Sequence, residues 1–164
     1  MTTTRPPTYQ DVRGYFEKAC YDAVKGAGVA AADISFDNFG ETAAPADRSY
    51  AVVALSFGNT VEDTLSCEGL ERLRGSLQVN IYTPKQKGSV AGETIALAVL
   101  KAWNVINQRG TSHAPLTRAM CRNIEGPATI NEGPARTSSD QRPHHVNVVS
   151  CAFEAQAPKE ITVP

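Results

Sequence analysis

One stretch constrains the fold more than any other: RGSLQVNIYTPKQKGSVAGET, Arg74 to Thr94. Leu73, Gly75, Leu77, Val79 and Ile81 alternate with Arg72, Arg74, Ser76, Gln78 and Asn80. A period of two puts the first set on one side of a strand and the second set on the other. One side is apolar and the other polar, which is the pattern of a half-buried strand with a face left for water or a partner. Pro84 has no N–H for a ladder, so the strand is expected to stop near Thr83. The chain then turns through Gly88, and Ser89 opens a helix that runs to about Gln108. Ala96, Leu97, Val99, Leu100, Trp103 and Ile106 surround more of this helix than one sheet can cover. It is expected to meet a second surface, either the first helix or another subunit.

The same periods place the other elements. From Thr8, Val12, Phe16, Ala19, Cys20, Ala23, Val24 and Ala27 recur on one helical face, up to the glycines of KGAG. Thr8 and Asp11 have the spacing of a capping box. Ile34 to Phe39 suits a short edge strand, and GETAAPADR a loop. In SYAVVALSFG, Ala51, Val53, Leu55 and Phe57 share a face. Asn59 to Glu71 is polar and aperiodic, so a loop is expected. Leu116 to Glu125 predicts a strand broken at Gly126-Pro127, with a short strand from Ala128 to Asn131. A polar loop follows to Pro143. His145 to Ala155 predicts the last strand, with Asn147, Val149, Cys151 and Phe153 on one side and Val146, Val148 and Ala152 on the other. The order of helix, strands, helix and strands implies an α+β fold: an antiparallel or mixed sheet with two main helices packed on one face, plus long polar loops.

At 164 residues the chain is expected to be one domain, with residues 1–7 a flexible arm and 156–164 a flexible tail. A chain of this size buries roughly 70% of its unfolded surface, enough to fold without metal or disulfide. The net charge of −1 argues against a dedicated nucleic-acid binder, which usually carries a basic stripe. No run suggests a membrane span of roughly 20 apolar residues, and MTTTRPPTYQ lacks a signal-peptide core. Cytosolic folding is the expectation. The four cysteines, Cys20, Cys67, Cys121 and Cys151, form no CxxC pair and are expected to be free thiols.

The chemistry-bearing residues do not assemble into a known catalytic pattern. A Walker loop needs GxxxxGK followed by Ser or Thr, so that backbone amides and a lysine cradle phosphate. In PKQKGSVAGET, Lys85 and Lys87 precede the glycine, and the signature fails. His144 and His145 are neighbours on a strand and point to opposite faces. His145 and Cys151 share a face but lie roughly 20 Å apart. Glu62, Asp63 and Glu68 read as a solvated acidic loop, and Glu71 opens the next strand. The expectation is no catalytic residue, no cofactor and no metal. Arg48, Arg72, Arg74, Gln78, Lys85 and Lys87 are instead candidate protein-interface residues, with the arginines suited to an acidic partner.

From Phe36 to Leu100 the sequence resembles the tail terminator family of long-tailed, siphovirus-type bacteriophages, with the lambda-like tail terminator fold. FDNF stands before a proline loop, then SYAVVALSFG forms a strand. EGLERLRGSLQVNIYTPKQKG carries arginine, glycine, a two-residue gap, glutamine and valine, and then a strand ending in proline and glycine. SVAGETIALAVLKAW supplies the following helix. The matched positions are Asn38, Pro45, Tyr50, Arg72, Gly75, Gln78, Val79, Tyr82, Pro84 and Gly88. The segment after Trp103 departs most, above all in the polar loop from Asn131 to Pro143.

The resemblance implies a structural virion protein and not an enzyme. Such terminators form a homohexameric ring at the tail–neck junction, assembled in the host cytoplasm. The ring caps the tail tube, stops tube polymerisation and offers a docking surface to the head–tail connector. Its partners are copies of itself, the tail tube protein and the connector or neck protein; DNA is only passing cargo in the lumen, and no membrane is involved. The alternatives are another head–tail joining adaptor of the virion or a small cytosolic enzyme.

Overall fold

Residues 9–37, 45, 47–59, 61, 62, 70–85, 88–129 and 144–158 are described by a computed structural model. Two long strands form its spine. β4 (Leu70–Pro84) and β6 (His144–Pro158) pair antiparallel over their full lengths, from Leu70 against Pro158 to Pro84 against His144. β2 (Tyr50–Phe57) pairs antiparallel with the other edge of β4. β1 (Ile34–Phe36) adds in parallel to β2, and β5 (Arg118–Thr129) pairs antiparallel with β6. The order β1-β2-β4-β6-β5, with the two-residue β3 (Val61–Glu62) beside β4, makes a mixed sheet. With α1 (Tyr9–Gly26) and α2 (Ser89–Gln108) the chain has an α+β fold.

The alternation along β4 is realised as expected. Leu73, Leu77, Val79 and Ile81 are buried on the helix side, while Arg74, Ser76 and Gln78 are exposed on the other. α1 buries Val12, Phe16, Cys20 and Val24, four positions one helical turn apart on a single stripe. Phe153 of β6 joins this stripe to the sheet: its ring lies 4.8 Å from Phe16 and 5.6 Å from Phe57. There is room for it because Gly75, its cross-strand partner, has no side chain. Arg13 fastens the first turns of α1 to β2, donating from Nη2 to the Leu55 carbonyl at 3.0 Å and from Nη1 to Glu17 at 2.9 Å.

α2 meets two surfaces, the helix side of the sheet and α1. Ile95, Ala96, Val99, Trp103 and Ile106 are buried. The Trp103 indole N–H donates to the Cys20 Sγ of α1 at 3.3 Å. Leu97, which the sequence placed in the apolar surround, is instead 59% exposed, and Val90 is 70% exposed. With 20 residues and a mean hydropathy of 1.3, α2 has the length and composition of a span that the sequence reading did not see, yet it carries the fold's only tryptophan into the core. The thiols behave as small apolar groups. Burial pushes Cys20 up to about 12, and the neighbouring Cys121 thiol followed by burial pushes Cys151 up. Cys67 lies outside the described residues.

Three expectations are corrected. The segment from Asn59 to Glu71 is not all loop: β3 takes over from β2 along β4, pairing Val61 with Arg72 and Glu62 with Glu71, and β4 already begins at Leu70. A pairing of two residues inside an otherwise polar segment is too short to show a period of two. The strand is not broken at Gly126-Pro127. β5 runs through to Thr129 with bulges between Arg122 and Glu125 and between Glu125 and Ala128. β5 is an edge strand, where a proline costs no ladder bond, and Gly126 takes φ 111° in the bulged stretch. The tail does not begin at 156 as a free end, since Gln156, Ala157 and Pro158 pair with Arg72, Glu71 and Leu70. The capping-box Thr8, Phe39, the arm 1–7, the polar loop 131–143 and the residues after 158 lie outside the described residues.

His113, in the turn after α2, is buried and has a pH consequence. Its Nδ1 lies 2.6 Å from the Tyr15 hydroxyl of α1. A neutral ring accepting there carries its proton on Nε2, which has no partner among the described residues. Burial holds the group below its ordinary value; the Gly110 backbone opposes this and Arg109 adds to it. The unfolded chain therefore takes up the proton first as pH falls. The stabilising contribution is complete above the unfolded value of about 6.5 and is lost as pH drops below it. The urea midpoint is expected to fall between pH 7.5 and 5.5, and less steeply in His113→Gln. Equal slopes in the two proteins would remove His113 from the account.

Candidate interface on the open face of the sheet

Both helices lie on one side of the sheet, so the other side is covered by no described element. The strand registers define its rows. Ser56, Ser76, Ala152 and Arg122 stand abreast across β2, β4, β6 and β5. Ala54, Gln78, Ser150 and Glu125 form the next row, then Val52, Asn80, Val148 and Ala128. The middle of this face is built from small side chains, which leaves it low and broad. Gln78 is exposed and donates from Nε2 to the Asn80 Oδ1 at 2.7 Å.

One end of the face is aromatic. Tyr50 and Tyr82 stack with centroids 4.4 Å apart and planes 3° off parallel, and the His144 ring meets Tyr50 edge-on at 5.2 Å. Burial, and then the Tyr82 phenol alongside, pushes the Tyr50 hydroxyl up. Arg48 precedes β2 at this end. Its Nε and Nη2 donate to the two carboxylate oxygens of Asp33 at 2.6 and 2.9 Å, a bidentate pair that ties the turn before β1 to the approach to β2. Hydrogen bonding from Arg48 holds the Asp33 carboxyl below its usual value. Arg48 still leaves 56% of its side chain exposed. Lys85 follows β4 here and is exposed. Lys87 and Asn38 lie outside the described residues.

The other end is basic. The Glu154 carboxylate of β6 is nearly buried, with its side chain 11% exposed. Arg74 donates to it from Nε at 3.3 Å, while Arg72 Nε and Arg122 Nη2 approach it at 3.5 and 3.9 Å. Arg118 stands one row further along, beside Gln156 and on the same side as Arg72. The fold thus brings Arg72, Arg74 and Gln78 onto one surface and sets Arg48 and Lys85 at its far end, roughly 35 Å away along the strand. Arg118, Arg122 and Glu154 escaped the sequence reading. The parity of Val146, Val148 and Ala152 extends by one step to Glu154, so that residue was accessible. Arg118 and Arg122 alternate with the buried Ala119 and Cys121 ahead of the first bulge, so their shared side was accessible too, but their place beside Glu154 depends on the pairing with β6.

The helix layer carries an open groove of about 500 Å³ between α1 and α2. Ala19, Ala23, Ala98 and Ala102 line it, and Lys18 and Asp22 form an ion pair at its rim, at 2.6 Å. None of the candidate residues lies in it. Among the described residues no three His, Cys, Asp or Glu side chains are grouped to hold a metal.

No family model matches the chain, and no curated protein matches it. Solved structures do. One of them, 18% identical, superposes with a TM-score of 0.56 over 96% of this chain and 100% of its own. At that identity the likeness shows the fold alone.

Proposed function

We propose that this chain is a phage virion structural protein, a tail terminator. It forms a six-membered ring that caps the tail tube, stops tube polymerisation and presents a docking surface to the head–tail connector. The observation that carries this reading is the sheet: four strands abreast with no described element over one side, and helices on the other. A ring needs one patch of a subunit to meet a different patch on the next copy. The open sheet face and the exposed side of α2, with Val90 and Leu97, are two such dissimilar patches. The segment from Phe36 to Leu100, where the sequence resembles tail terminators, supplies β4, the centre of the open face. A net charge of −1 suits a lumen that DNA crosses without being held. Function in this reading lies in shape and contact, and no turnover is involved.

The test mixes purified protein with polymerising tail tube protein and measures tube length and capped ends by negative-stain microscopy. Addition of the protein shortens the tubes and leaves a ring on one end. Arg72→Gln combined with Arg74→Gln folds normally, since Arg122 still faces Glu154, but reduces capped ends by about tenfold, the order expected when interface arginines are lost. Tubes that grow to the same length with or without the protein would refute the proposal.

A further inference from the structure

We infer that the basic end of the open face is a docking site for an extended acidic segment of a partner protein, held by Arg72, Arg74, Arg118 and Arg122. This rests on reading the open face as a protein interface and names the chemistry of what it meets. Three guanidiniums converge on one carboxylate, Glu154, and only Arg74 reaches it with hydrogen-bond geometry. Arg74 and Arg122 against this one carboxylate leave a charge of +1. Arg118 is exposed and has no ion-pair partner among the described residues, which brings these groups to +2.

The spacing selects the partner. Arg72 and Arg74 are two residues apart on one face of β4, about 7 Å. Arg74 and Arg122 are separated by β6, roughly 10 Å across two strand spacings. Carboxylates on one side of an extended peptide also repeat about every 7 Å. An acidic segment with alternating carboxylates therefore matches this array. A continuous phosphate backbone matches it less well, because Glu125 borders the patch on β5 and would repel a polyanion running beyond it. Glu154 plays a defined part. Its buried carboxylate keeps the guanidiniums gathered in the unbound state and competes with the incoming carboxylates for them.

The experiment measures fluorescence anisotropy of a labelled oligo-glutamate peptide on the full chain at low salt. Controls are an oligo-glutamine peptide of equal length and single-stranded oligothymidylate of equal charge. The glutamate peptide is expected to bind, the glutamine peptide not, and oligothymidylate more weakly than glutamate. Raising salt from about 0.05 M to about 0.5 M weakens binding by about tenfold or more, as screening requires. Arg118→Ala with Arg122→Ala abolishes binding with an unchanged circular dichroism spectrum. Glu154→Gln tightens it severalfold by removing the competitor. Equal binding of the glutamate and glutamine peptides, stronger binding of oligothymidylate, or weaker binding in Glu154→Gln would each overturn the proposal. The assay needs no tube, so its failure is separate from that of ring formation. Capped tubes without peptide binding refute the acidic partner alone, and peptide binding without capping refutes the terminator reading alone.

Discussion

Gly75→Ala is expected to lower the unfolding free energy by about 3 kcal/mol, at the upper end of what overpacking a core costs. Gly75 sits on the helix side of the central strand. A Cβ there would meet the backbone carbonyl oxygen of Ser56 on β2 and, at 2.6 Å, two carbons of the Phe153 ring. A ring can rotate away, but the Ser56 carbonyl belongs to the adjacent strand, and its displacement pulls β2 out of register with β4. The melting temperature is expected to drop by roughly 10 °C for a domain of this size. Gly14→Ala is the internal control. Gly14 is exposed in the middle of α1 with nothing near its added methyl, so the same substitution there stabilises by about 0.5–1 kcal/mol. Adding Phe153→Leu to Gly75→Ala relieves the ring clash and leaves the carbonyl clash. A double variant as stable as the native chain would show that the ring alone was the obstacle.

Trp103→Ala is expected to cost about 3–5 kcal/mol, enough to leave much of the chain unfolded at 37 °C. Trp103 is 0% exposed, and its ring fills the angle between α1, α2 and the sheet. Truncation opens a cavity where both helices meet. Trp103→Phe keeps most of the volume and loses only the indole donation to the Cys20 sulfur, a weak acceptor, so its cost is about 1–2 kcal/mol. Urea denaturation of the two variants followed by circular dichroism checks the order. If Phe and Ala were equally damaging, the sulfur contact and not the packing would dominate.

The difference in legibility between β4 and β5 has a physical cause. β4 has one buried face and one wet face, so its side chains obey a strict period of two, and α2 has enough apolar residues to fix its span from Ser89 to Gln108. β5 lies at an edge with two bulges, each of which resets the parity, and a proline that an edge strand tolerates. β3 is two residues long, too short for any period to register. The site shows the same division. Arg72, Arg74 and Gln78 could be assigned to one face because they share a strand. The gathering of Arg74, Glu154 and Arg122 depends on antiparallel registers between residues up to 80 apart in sequence, which no local pattern encodes. Arg48 shows the converse. Its charge marks it in the sequence as an interface candidate, and the fold commits much of that charge to Asp33.

The central claim is that subunits close into a ring on the end of a tube. Native mass spectrometry of the protein released from capped tail tubes, with microscopy of the same tube ends, tests it most directly. The account predicts six copies per tube end, arranged as one closed ring with the open sheet face covered at a subunit or tube contact. A protein that stays monomeric and leaves tube ends bare at every protein ratio would contradict it.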